Sequence, residues 1–346
     1  MLQAAVEKRP RVFVVQPVPN VAIDILRGVA DVEIYPYMDR QISPGELASA
    51  ARSADYIFAM HETTVTEEVF AANPRLKGVV LAGRHSDTVD FDAARRHGVP
   101  ILTAAALAPP SLRVSRATAD LAVGMIIDLA YRISEADRYT RGSGFRQEQT
   151  MALMGVGCTG RSVGLIGLGK VAQFMVPRLR AFEMEVFYTK RSRLPLEEES
   201  AFGVTWLPHH DDVLRTCDFV SLQCTYNPST HLLIGDRELR LMKPSAYFIN
   251  TARGRIVDEP ALIKALQDGT IAGAGLDVFW HEPPVTPVPW VPPAFFKLDN
   301  VVLAPHNGGA TWDSRGEMTT RIAQVIVADI KGELPASARL EASVVA

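Results

Sequence analysis

The stretch Ser162-Val163-Gly164-Leu165-Ile166-Gly167-Leu168-Gly169-Lys170-Val171-Ala172 decides the fold expected for this chain. A short apolar run leads directly into the pattern G-x-G-x-x-A, and a helical stretch and a second apolar run follow. Such a strand, turn, helix and strand are the context that a dinucleotide-binding turn requires. Gly167 permits the tight turn, Gly169 lets the backbone approach a pyrophosphate, and the small Ala172 lets helix and strand pack closely. The stretch therefore predicts a Rossmann-type, doubly wound parallel sheet.

We expect five consecutive residues of this turn to contact the cofactor: Gly167, Leu168, Gly169, Lys170 and Val171. The pyrophosphate would lie on the unpaired N–H groups at the start of the helix, where the helix dipole favours an anion. A glycine motif alone is weak, and an ordinary tight turn is the alternative interpretation. The flanking strands and helix favour the dinucleotide site.

The second strand of this unit ends in Tyr188-Thr189-Lys190-Arg191-Ser192-Arg193. An NAD site usually has Asp or Glu about 20 residues after the glycines, to bind the ribose 2′-hydroxyl. Here Glu185 lies too early, within the strand, and Glu197 comes too late. Three cations and a hydroxyl suit a 2′-phosphate instead. We therefore expect NADP(H) to be preferred and NAD(H) to be possible, with a solvated basic loop as the alternative.

Bulk composition limits the class of protein. The 346 residues suggest two domains, 47% hydrophobic residues are enough for sizeable cores, and 22% charged residues are typical of a soluble globular protein. A net charge of −3 gives no electrostatic footprint for nucleic acid or an anionic membrane. The three cysteines have neither metal-type spacing nor a disulfide pattern, and no signal peptide or membrane span is visible, so a cytoplasmic protein without a bound metal is expected.

Alternating strand and helix patterns occur twice along the chain. The first hundred residues contain apolar runs at 12–15, 32–35, 56–59, 78–82 and 99–102, with helical patterns at 21–29, 44–53, 66–71 and 91–97 between them. The second set has strands at 163–166, 186–188, 219–222, 247–249, 275–278 and 301–303. This alternation predicts two parallel sheets covered by helices.

Two long helices frame the second set. One begins near Ser115 or Thr118 and carries an apolar stripe from Leu121 to Ile133, and the other, at 313–330, is expected to pack on the first domain. The predicted domains are therefore 1–112 with 312–346, which binds substrate, and 113–311, which binds the dinucleotide. Substrate would lie in the cleft between them.

Polar residues follow three strands of the second domain, where ligands meet open α/β sheets. They are Asn250–Arg255, Asp277 with His281–Glu282, and Pro305–Thr311. An arginine can bind the carboxylate of a 2-oxo acid through two parallel hydrogen bonds, and a histidine can protonate the carbonyl oxygen as hydride reaches the carbon. A glutamate beside the histidine would stabilise the imidazolium.

At these residues the chain resembles the D-isomer-specific 2-hydroxyacid dehydrogenases over nearly its whole length. Val163–Gly169, Asn250–Gly254, Gly275–Phe279 with Glu282–Pro283, and Pro305–Thr311 match that family's signatures in order. The resemblance implies a Rossmann-type domain plus a flavodoxin-like α/β substrate domain, with the active site in the interdomain cleft. It also implies a homodimer built largely around the first long helix.

Carried over residue by residue, the resemblance makes Arg253 the carboxylate-binding arginine, His306 the acid–base and Glu282 its partner. It places Asp277 near the nicotinamide carboxamide. It also implies a cofactor pocket lined by Cys224, Thr225, Thr251 and Ala252. The basic loop from Lys190 to Arg193 is similar to that of the NADP-preferring glyoxylate and hydroxypyruvate reductases, which makes glyoxylate or hydroxypyruvate the default substrate.

The loop expected to bind the substrate departs from the family pattern. It reads Ala82-Gly83-Arg84-His85-Ser86-Asp87, so His85 replaces the second of two glycines and Arg84 adds charge. His61 stands where the family often has arginine. We predict that His61, Gly83, Arg84 and His85 contact substrate. Either they recognise an unusual, more anionic substrate, or they are ordinary residues of the cleft wall.

Two other functions remain open at this point. One is the oxidation of another small anion, as in the formate or phosphite dehydrogenases of this family; Glu282 argues against formate, because formate enzymes have glutamine there. The other is a binding protein, since some relatives act as dinucleotide-sensing corepressors. Turnover of NADPH with a 2-oxo acid would separate these possibilities.

Overall fold

The structure is a computed structural model that describes residues 8–84, 86, 88–107, 112–282 and 291–340. These residues divide into two compact units. The first holds the described residues before 112 and those from Trp312 onward, and the second holds Leu112–Glu282 and 291–311.

Both units alternate strand and helix along the chain. The strands are β1 (Arg11–Val14), β2 (Asp31–Ile34), β3 (Tyr56–Phe58), β4 (Gly78–Leu81), β5 (Ile101–Thr103), β6 (Ser162–Ile166), β7 (Glu185–Thr189), β8 (Thr205–Trp206), β9 (Phe219–Leu222), β10 (Tyr247–Asn250), β11 (Gly273–Leu276), β12 (Val301–Leu303) and β13 (Arg339–Leu340). The α-helices are α1 (Asn20–Arg27), α2 (Pro44–Ala51), α3 (Glu67–Ala72), α4 (Phe91–Arg96), α5 (Leu112–Tyr131), α6 (Ile133–Arg141), α7 (Lys170–Ala181), α8 (Leu196–Phe202), α9 (His210–Thr216), α10 (Asp236–Leu241), α11 (Glu259–Gln267) and α12 (Trp312–Ile330).

The first unit is built on a sheet of order β2-β1-β3-β4-β5, with β13 added beside β5. The strands β1 to β5 pair in parallel, and β13 is antiparallel. This is the flavodoxin-like order, with helices crossing between parallel strands. The strands and helices expected here from the sequence all form, displaced by at most two residues at their ends. The antiparallel β13 was not expected.

The second unit is a parallel sheet of order β8-β7-β6-β9-β10-β11-β12. Its first six strands have the Rossmann order 3-2-1-4-5-6, and the switch point lies between β6 and β9. The six strands predicted from the sequence all form. The two-residue β8 was not predicted, because Thr205–Trp206 is too short to give a periodic signal.

The long helices bury the faces that the sequence indicated. In α12, Ile322, Val325 and Ile326 are fully buried in the core of the first unit, where the helix packs on α1. In α5, Met125, Ile126 and Leu129 are buried against the sheet of the second unit.

The structure departs from the predicted course of α5 at both ends. The helix already begins at Leu112, before the predicted Ser115 or Thr118, and it ends at Tyr131. Arg132 then has φ +55°, a left-handed conformation that separates α5 from α6. The predicted stripe residue Ile133 therefore lies in the next helix and is exposed.

Cys158, Cys217 and Cys224 are free thiols, of which the first two are buried. Among the described residues, no helix combines the length and the apolar character that crossing a bilayer demands.

Candidate active site

The glycine turn between β6 and α7 has the geometry that its sequence predicts. Gly167 has φ +102°, and a β-carbon there would lie 2.6 Å from the carbonyl oxygen of Gln223, so a side chain is excluded. Gly169 precedes the first residue of α7, and nothing lies within 4 Å of the place where its β-carbon would be. Ala172 is fully buried between helix and sheet. The turn thus leaves room for a ligand at the N-terminus of α7 and fits a pyrophosphate.

The loop after β7 carries the cations expected to bind a 2′-phosphate. Lys190 is half-buried, and Arg191 and Ser192 are exposed. Arg193 differs, because its guanidinium forms a two-bond ion pair with the buried Glu199, with Nε–Oε1 and Nη2–Oε2 distances of 2.8 Å. From the sequence, Lys190, Arg191, Ser192 and Arg193 were all expected to bind the phosphate, and no carboxylate was expected near them. The fold brings Glu199, six residues further on, back to the loop.

The other residues predicted to line the cofactor pocket lie at the carboxyl ends of β9, which pairs with β6, and of β10, the next strand of the sheet. Cys224 and Thr225 follow β9, and Thr251 and Ala252 follow β10. Gln223 fixes the two loops to each other, since its Nε2 donates a hydrogen bond to the Thr251 hydroxyl at 3.1 Å. The residues predicted to line a cofactor pocket therefore share the edge of the sheet that holds the glycine turn.

The loop that presents Arg253 is held by two residues of the same motif, Asn250 and Gly254, for which no role of their own was predicted. Asn250 is buried; its Oδ1 accepts the N–H of Ala252 and its Nδ2 donates to the carbonyl of Arg253, both at 3.0 Å. Gly254 lies directly against the next loop, because a β-carbon there would be 2.0 Å from the carbonyl carbon of Phe279. The Arg253 loop and the loop that starts at Phe279 are therefore in backbone contact.

The turn that carries Glu282 is anchored by carboxylates. The N–H of Phe279 donates to Oε1 of Glu282 at 2.7 Å, and the N–H of Trp280 donates to the buried Glu259. Burial raises the pKa of Glu259, and the nearby Glu282 carboxylate raises it further. Asp258 caps α11 as its sequence position predicts, since its side chain accepts the N–H of Ala261 at 3.1 Å. Glu259 is a supporting residue that the sequence analysis missed.

His306 and Glu282 meet in the structure. Nδ1 of His306 lies 2.8 Å from Oε2 of Glu282. His306 has φ +56°, a conformation that costs a non-glycine residue energy and persists only when its surroundings impose it. Nδ1 is therefore the ring nitrogen that faces the carboxylate.

Asp277 imposes the conformation of the His306 loop. Its side chain is 1% exposed, and its two oxygens accept the N–H groups of Asn307 at 2.6 Å and Gly308 at 2.9 Å. Its own carbonyl accepts the N–H of His306 at 2.9 Å. Burial raises the pKa of Asp277 against the lowering effect of these hydrogen bonds. The place of Asp277 near the nicotinamide, which the resemblance implies, stays a prediction; in the structure Asp277 anchors the loop of His306.

The charges around His306 favour a protonated ring. The hydrogen bond to Glu282 raises the pKa of His306 above its usual value, while burial and the nearby Arg253 guanidinium oppose this rise. The side chain remains 41% exposed. The second unit thus gathers an arginine, a carboxylate and an accessible imidazole whose pKa is raised.

The residues predicted to contact substrate lie in the first unit. His61 follows β3 and its carbonyl accepts the Thr88 hydroxyl at 3.2 Å, while Gly83 follows β4 and its carbonyl accepts the Thr103 hydroxyl at 2.7 Å. His61, Gly83 and Arg84 are exposed at the carboxyl ends of these strands. His85 lies outside the described residues.

Comparison with known proteins identifies the family. Residues 123–308 match the model of the D-isomer specific 2-hydroxyacid dehydrogenase NAD binding domain. A glyoxylate reductase of Thermococcus litoralis is 34% identical over 332 residues, which is 94% of this chain and 96% of that protein. The glyoxylate reductase of Thermococcus gammatolerans is 36% identical over 331 residues, covering 94% of this chain and 95% of that protein.

Solved structures agree with this result. A D-isomer specific 2-hydroxyacid dehydrogenase from Polaromonas sp. JS6 66 superposes with a TM-score of 0.83 at 27% identity, covering 96% of this chain and all of that one. An NADPH-dependent glyoxylate/hydroxypyruvate reductase from Sinorhizobium meliloti gives a TM-score of 0.75 at 26% identity over 96% of this chain and 97% of that one. Matches to the family's domain and to relatives over nearly the full length show that this chain belongs to the D-isomer-specific 2-hydroxyacid dehydrogenase family.

Proposed function

We propose that this enzyme reduces a 2-oxo acid to a D-2-hydroxy acid with NADPH in preference to NADH, and that glyoxylate or hydroxypyruvate is its default substrate. Membership of the family supports the broader reaction, an NAD(P)-dependent interconversion of 2-oxo and 2-hydroxy acids. The observation that carries the proposal is the 2.8 Å contact between His306 Nδ1 and Glu282 Oε2, with the Arg253 guanidinium close enough to affect the same ring.

In this proposal each of the three side chains has one task. Arg253 binds the substrate carboxylate through two parallel hydrogen bonds and helps to polarise the ketone. The dinucleotide, when bound, supplies the hydride that adds to the carbonyl carbon. His306 donates the proton on Nε2 to the carbonyl oxygen, and Glu282 stabilises the imidazolium before that transfer. In the oxidation direction, His306 takes the proton from the hydroxyl group.

The chain's own backbone and basic loop would hold the dinucleotide. Gly167 and Gly169 leave space for the pyrophosphate at the N-terminus of α7. The exposed Arg191 and Ser192 and the half-buried Lys190 offer charge-assisted hydrogen bonds to a 2′-phosphate. These groups support NADP(H), and the relative from Sinorhizobium meliloti is named NADPH-dependent.

Several further roles and properties are proposed from the sequence and from the family resemblance. They are substrate contacts by His61, Gly83, Arg84 and His85, a substrate-binding role for the first unit, a dinucleotide-binding role for the second, a homodimer around α5 and a cytoplasmic location.

A panel of 2-oxo acids with both cofactors tests the proposal. We expect NADPH to be consumed with glyoxylate or hydroxypyruvate, and His306→Ala to lower kcat by about 10²- to 10⁴-fold, the usual contribution of a general acid. His97→Ala is a matched control, because His97 contacts Glu67 through a comparable His–Glu pair in the first unit. Full activity of His306→Ala would contradict the mechanism, and cofactor binding without turnover across the panel would favour a dinucleotide sensor.

A further inference from the structure

Behind the basic loop lies a hydrogen-bonded group that the proposed function does not use. We call it the Glu199 anchor, and it consists of Tyr188, Arg193, Leu194 and Glu199. Oε1 of Glu199 accepts the Tyr188 hydroxyl at 2.7 Å and Arg193 Nε at 2.8 Å, and Oε2 accepts Arg193 Nη2 at 2.8 Å. The Tyr188 oxygen in turn accepts the N–H of Leu194 at 2.9 Å.

The anchor joins two buried side chains to Arg193, whose side chain is 46% exposed. Tyr188 is completely buried and Glu199 is 6% exposed. The Arg193 guanidinium also lies over the ring of Trp206, 5.0 Å from its centroid. The ion pair with Arg193, followed by the hydrogen bond from Tyr188, lowers the pKa of Glu199 to about 2, so the carboxylate is charged at any physiological pH.

Both ends of a very short loop are fixed, one by the glycine turn and the other by the anchor. At one end, the carbonyl of Thr189 accepts the N–H of Gly167 at 2.9 Å, which ties the loop to the glycine turn. At the other end, Arg193 and Leu194 are bonded to the anchor. Only Lys190, Arg191 and Ser192 lie between these fixed points, and three residues so confined have few backbone conformations.

We infer that Arg193 and Glu199 are a positioning pair which holds the Lys190–Ser192 loop in place for the 2′-phosphate, and that Arg193 is not itself a phosphate ligand. The inference rests on the proposed preference for NADP(H). Its physical basis is the free-energy cost of the alternative, in which Arg193 leaves Glu199 to bind the phosphate. If Arg193 turned to a phosphate, it would leave the buried carboxylate of Glu199 without its cation, beside a second anion. The phosphate is therefore bound by Lys190, Arg191 and Ser192.

The two possible roles of Arg193 give opposite results for Glu199→Gln. If the pair positions the loop, this variant loosens it, and the ratio of NADPH to NADH affinity falls about 2- to 10-fold, the effect of losing the order of one side chain. If Arg193 is a ligand, the variant frees its guanidinium, and the ratio stays the same or rises. Arg191→Ala removes a direct ligand in both cases, and the ratio should fall about 10- to 100-fold.

The experiment is a fluorescence titration of NADPH and NADH with the full chain and five variants: Glu199→Gln, Arg193→Ala, the double variant, Arg191→Ala and Arg240→Ala. Arg240→Ala is the matched control, since it breaks an exposed arginine–carboxylate pair with Asp236 in the same unit. We expect Glu199→Gln, Arg193→Ala and the double variant to lower the ratio by similar amounts, because the pair acts as one unit, with NADH affinity unchanged.

The possible outcomes separate the inference from the proposed function. An unchanged or higher ratio in Glu199→Gln overturns the inference alone, provided that the wild type prefers NADPH. A wild type without that preference overturns the proposed cofactor and the inference together. If thermal melting shows that Glu199→Gln does not fold, Tyr188→Phe serves instead, because it removes only the hydroxyl that links Leu194 to Glu199. A lower ratio in that variant supports the inference, and an unchanged ratio overturns it.

Discussion

Replacing Glu282 by glutamine isolates the electrostatic part of the proposed acid–base pair. Oε2 of Glu282 lies 2.8 Å from His306 Nδ1, and Oε1 accepts the N–H of Phe279 at 2.7 Å. Glutamine keeps the size of the side chain and one oxygen acceptor, but it loses the negative charge. Because the hydrogen bond to Glu282 is the main cause of the raised pKa of His306, the variant should bind its imidazolium proton less tightly.

The size of the effect follows from the kind of contact. A hydrogen bond to a charged group contributes about 1.5–3 kcal/mol when it is sheltered. The His306 side chain is 41% exposed, so solvent screening reduces this to about 1–2 kcal/mol. Each tenfold change in rate corresponds to about 1.4 kcal/mol, and kcat/KM for reduction should therefore fall about 5- to 30-fold near neutral pH.

The two directions of the reaction need opposite protonation states of His306, so the variant should affect them differently with pH. Reduction needs the imidazolium, so its rate is highest below the pKa of His306 and is lost as the pH rises through that value. In Glu282→Gln this loss should occur at lower pH, while oxidation, which needs the neutral ring, should be spared at the same pH. The assay is kcat/KM for reduction and for oxidation across about pH 5 to 9. Glu67→Gln, at the comparable His97 pair, is the control.

One result would exclude an electrostatic role for Glu282. If Glu282→Gln lowers reduction and oxidation equally at every pH, without moving the midpoint of either profile, then Glu282 acts only by holding the ring in place and does not affect its proton.

Three further changes test the surroundings of the site. In Gly254→Ala the new β-carbon would lie 2.0 Å from the Phe279 carbonyl carbon, so the loops must move apart by more than 1 Å; kcat should fall about 100-fold, and wild-type kcat would contradict the tight contact. Asp277→Asn leaves one of two backbone N–H groups facing an amide NH₂; chemical denaturation should show a loss of about 1–3 kcal/mol in the free energy of unfolding, together with a lower kcat. Asp258→Ala removes the cap of α11 and should cost about 0.5–2 kcal/mol in the same assay, whereas an unchanged value would mean that the capping bond contributes nothing.

The glycine turn and the strand ends could be predicted because their signals are local. G-x-G-x-x-A needs a particular backbone, and the structure gives Gly167 the positive φ that the pattern implies. Parallel strands of a doubly wound sheet end at one edge, so loops far apart in sequence, such as those of Arg253 and His306, could be expected to meet. The contact of His306 with Glu282 agrees with that expectation.

Glu199 illustrates what local signals cannot give. It is the last residue of the acidic run Glu197–Glu199 in the first turn of α8. Acidic residues at this position are usually exposed to solvent and interact favourably with the helix dipole. Only the fold places one of these three carboxylates under Tyr188 and against Arg193. Counting charges along the loop therefore predicted three equivalent cations. In the structure Arg193 is ion-paired with Glu199, which sets it apart from Lys190 and Arg191.

The supporting residues Gly254 and Glu259 were missed for a related reason. Gly254 belongs to a recognised motif, but the reason that it must be glycine is the Phe279 backbone, which is 25 residues away in sequence and leaves no room for a β-carbon. Glu259 follows a capping aspartate and looks like an ordinary first-turn acid, but its carboxylate is buried and accepts the Trp280 N–H. Such tertiary contacts leave no periodic pattern in the chain.

In the proposed mechanism, His306 exchanges a proton with a substrate whose carboxylate is bound by Arg253. A crystal structure with NADP⁺ and a 2-hydroxy acid tests it most directly. We expect Nε2 of His306 to lie about 2.6–3.2 Å from the ligand hydroxyl, with the Arg253 guanidinium on the ligand carboxylate. A ligand bound to neither side chain, with its hydroxyl beyond reach of His306, would contradict it.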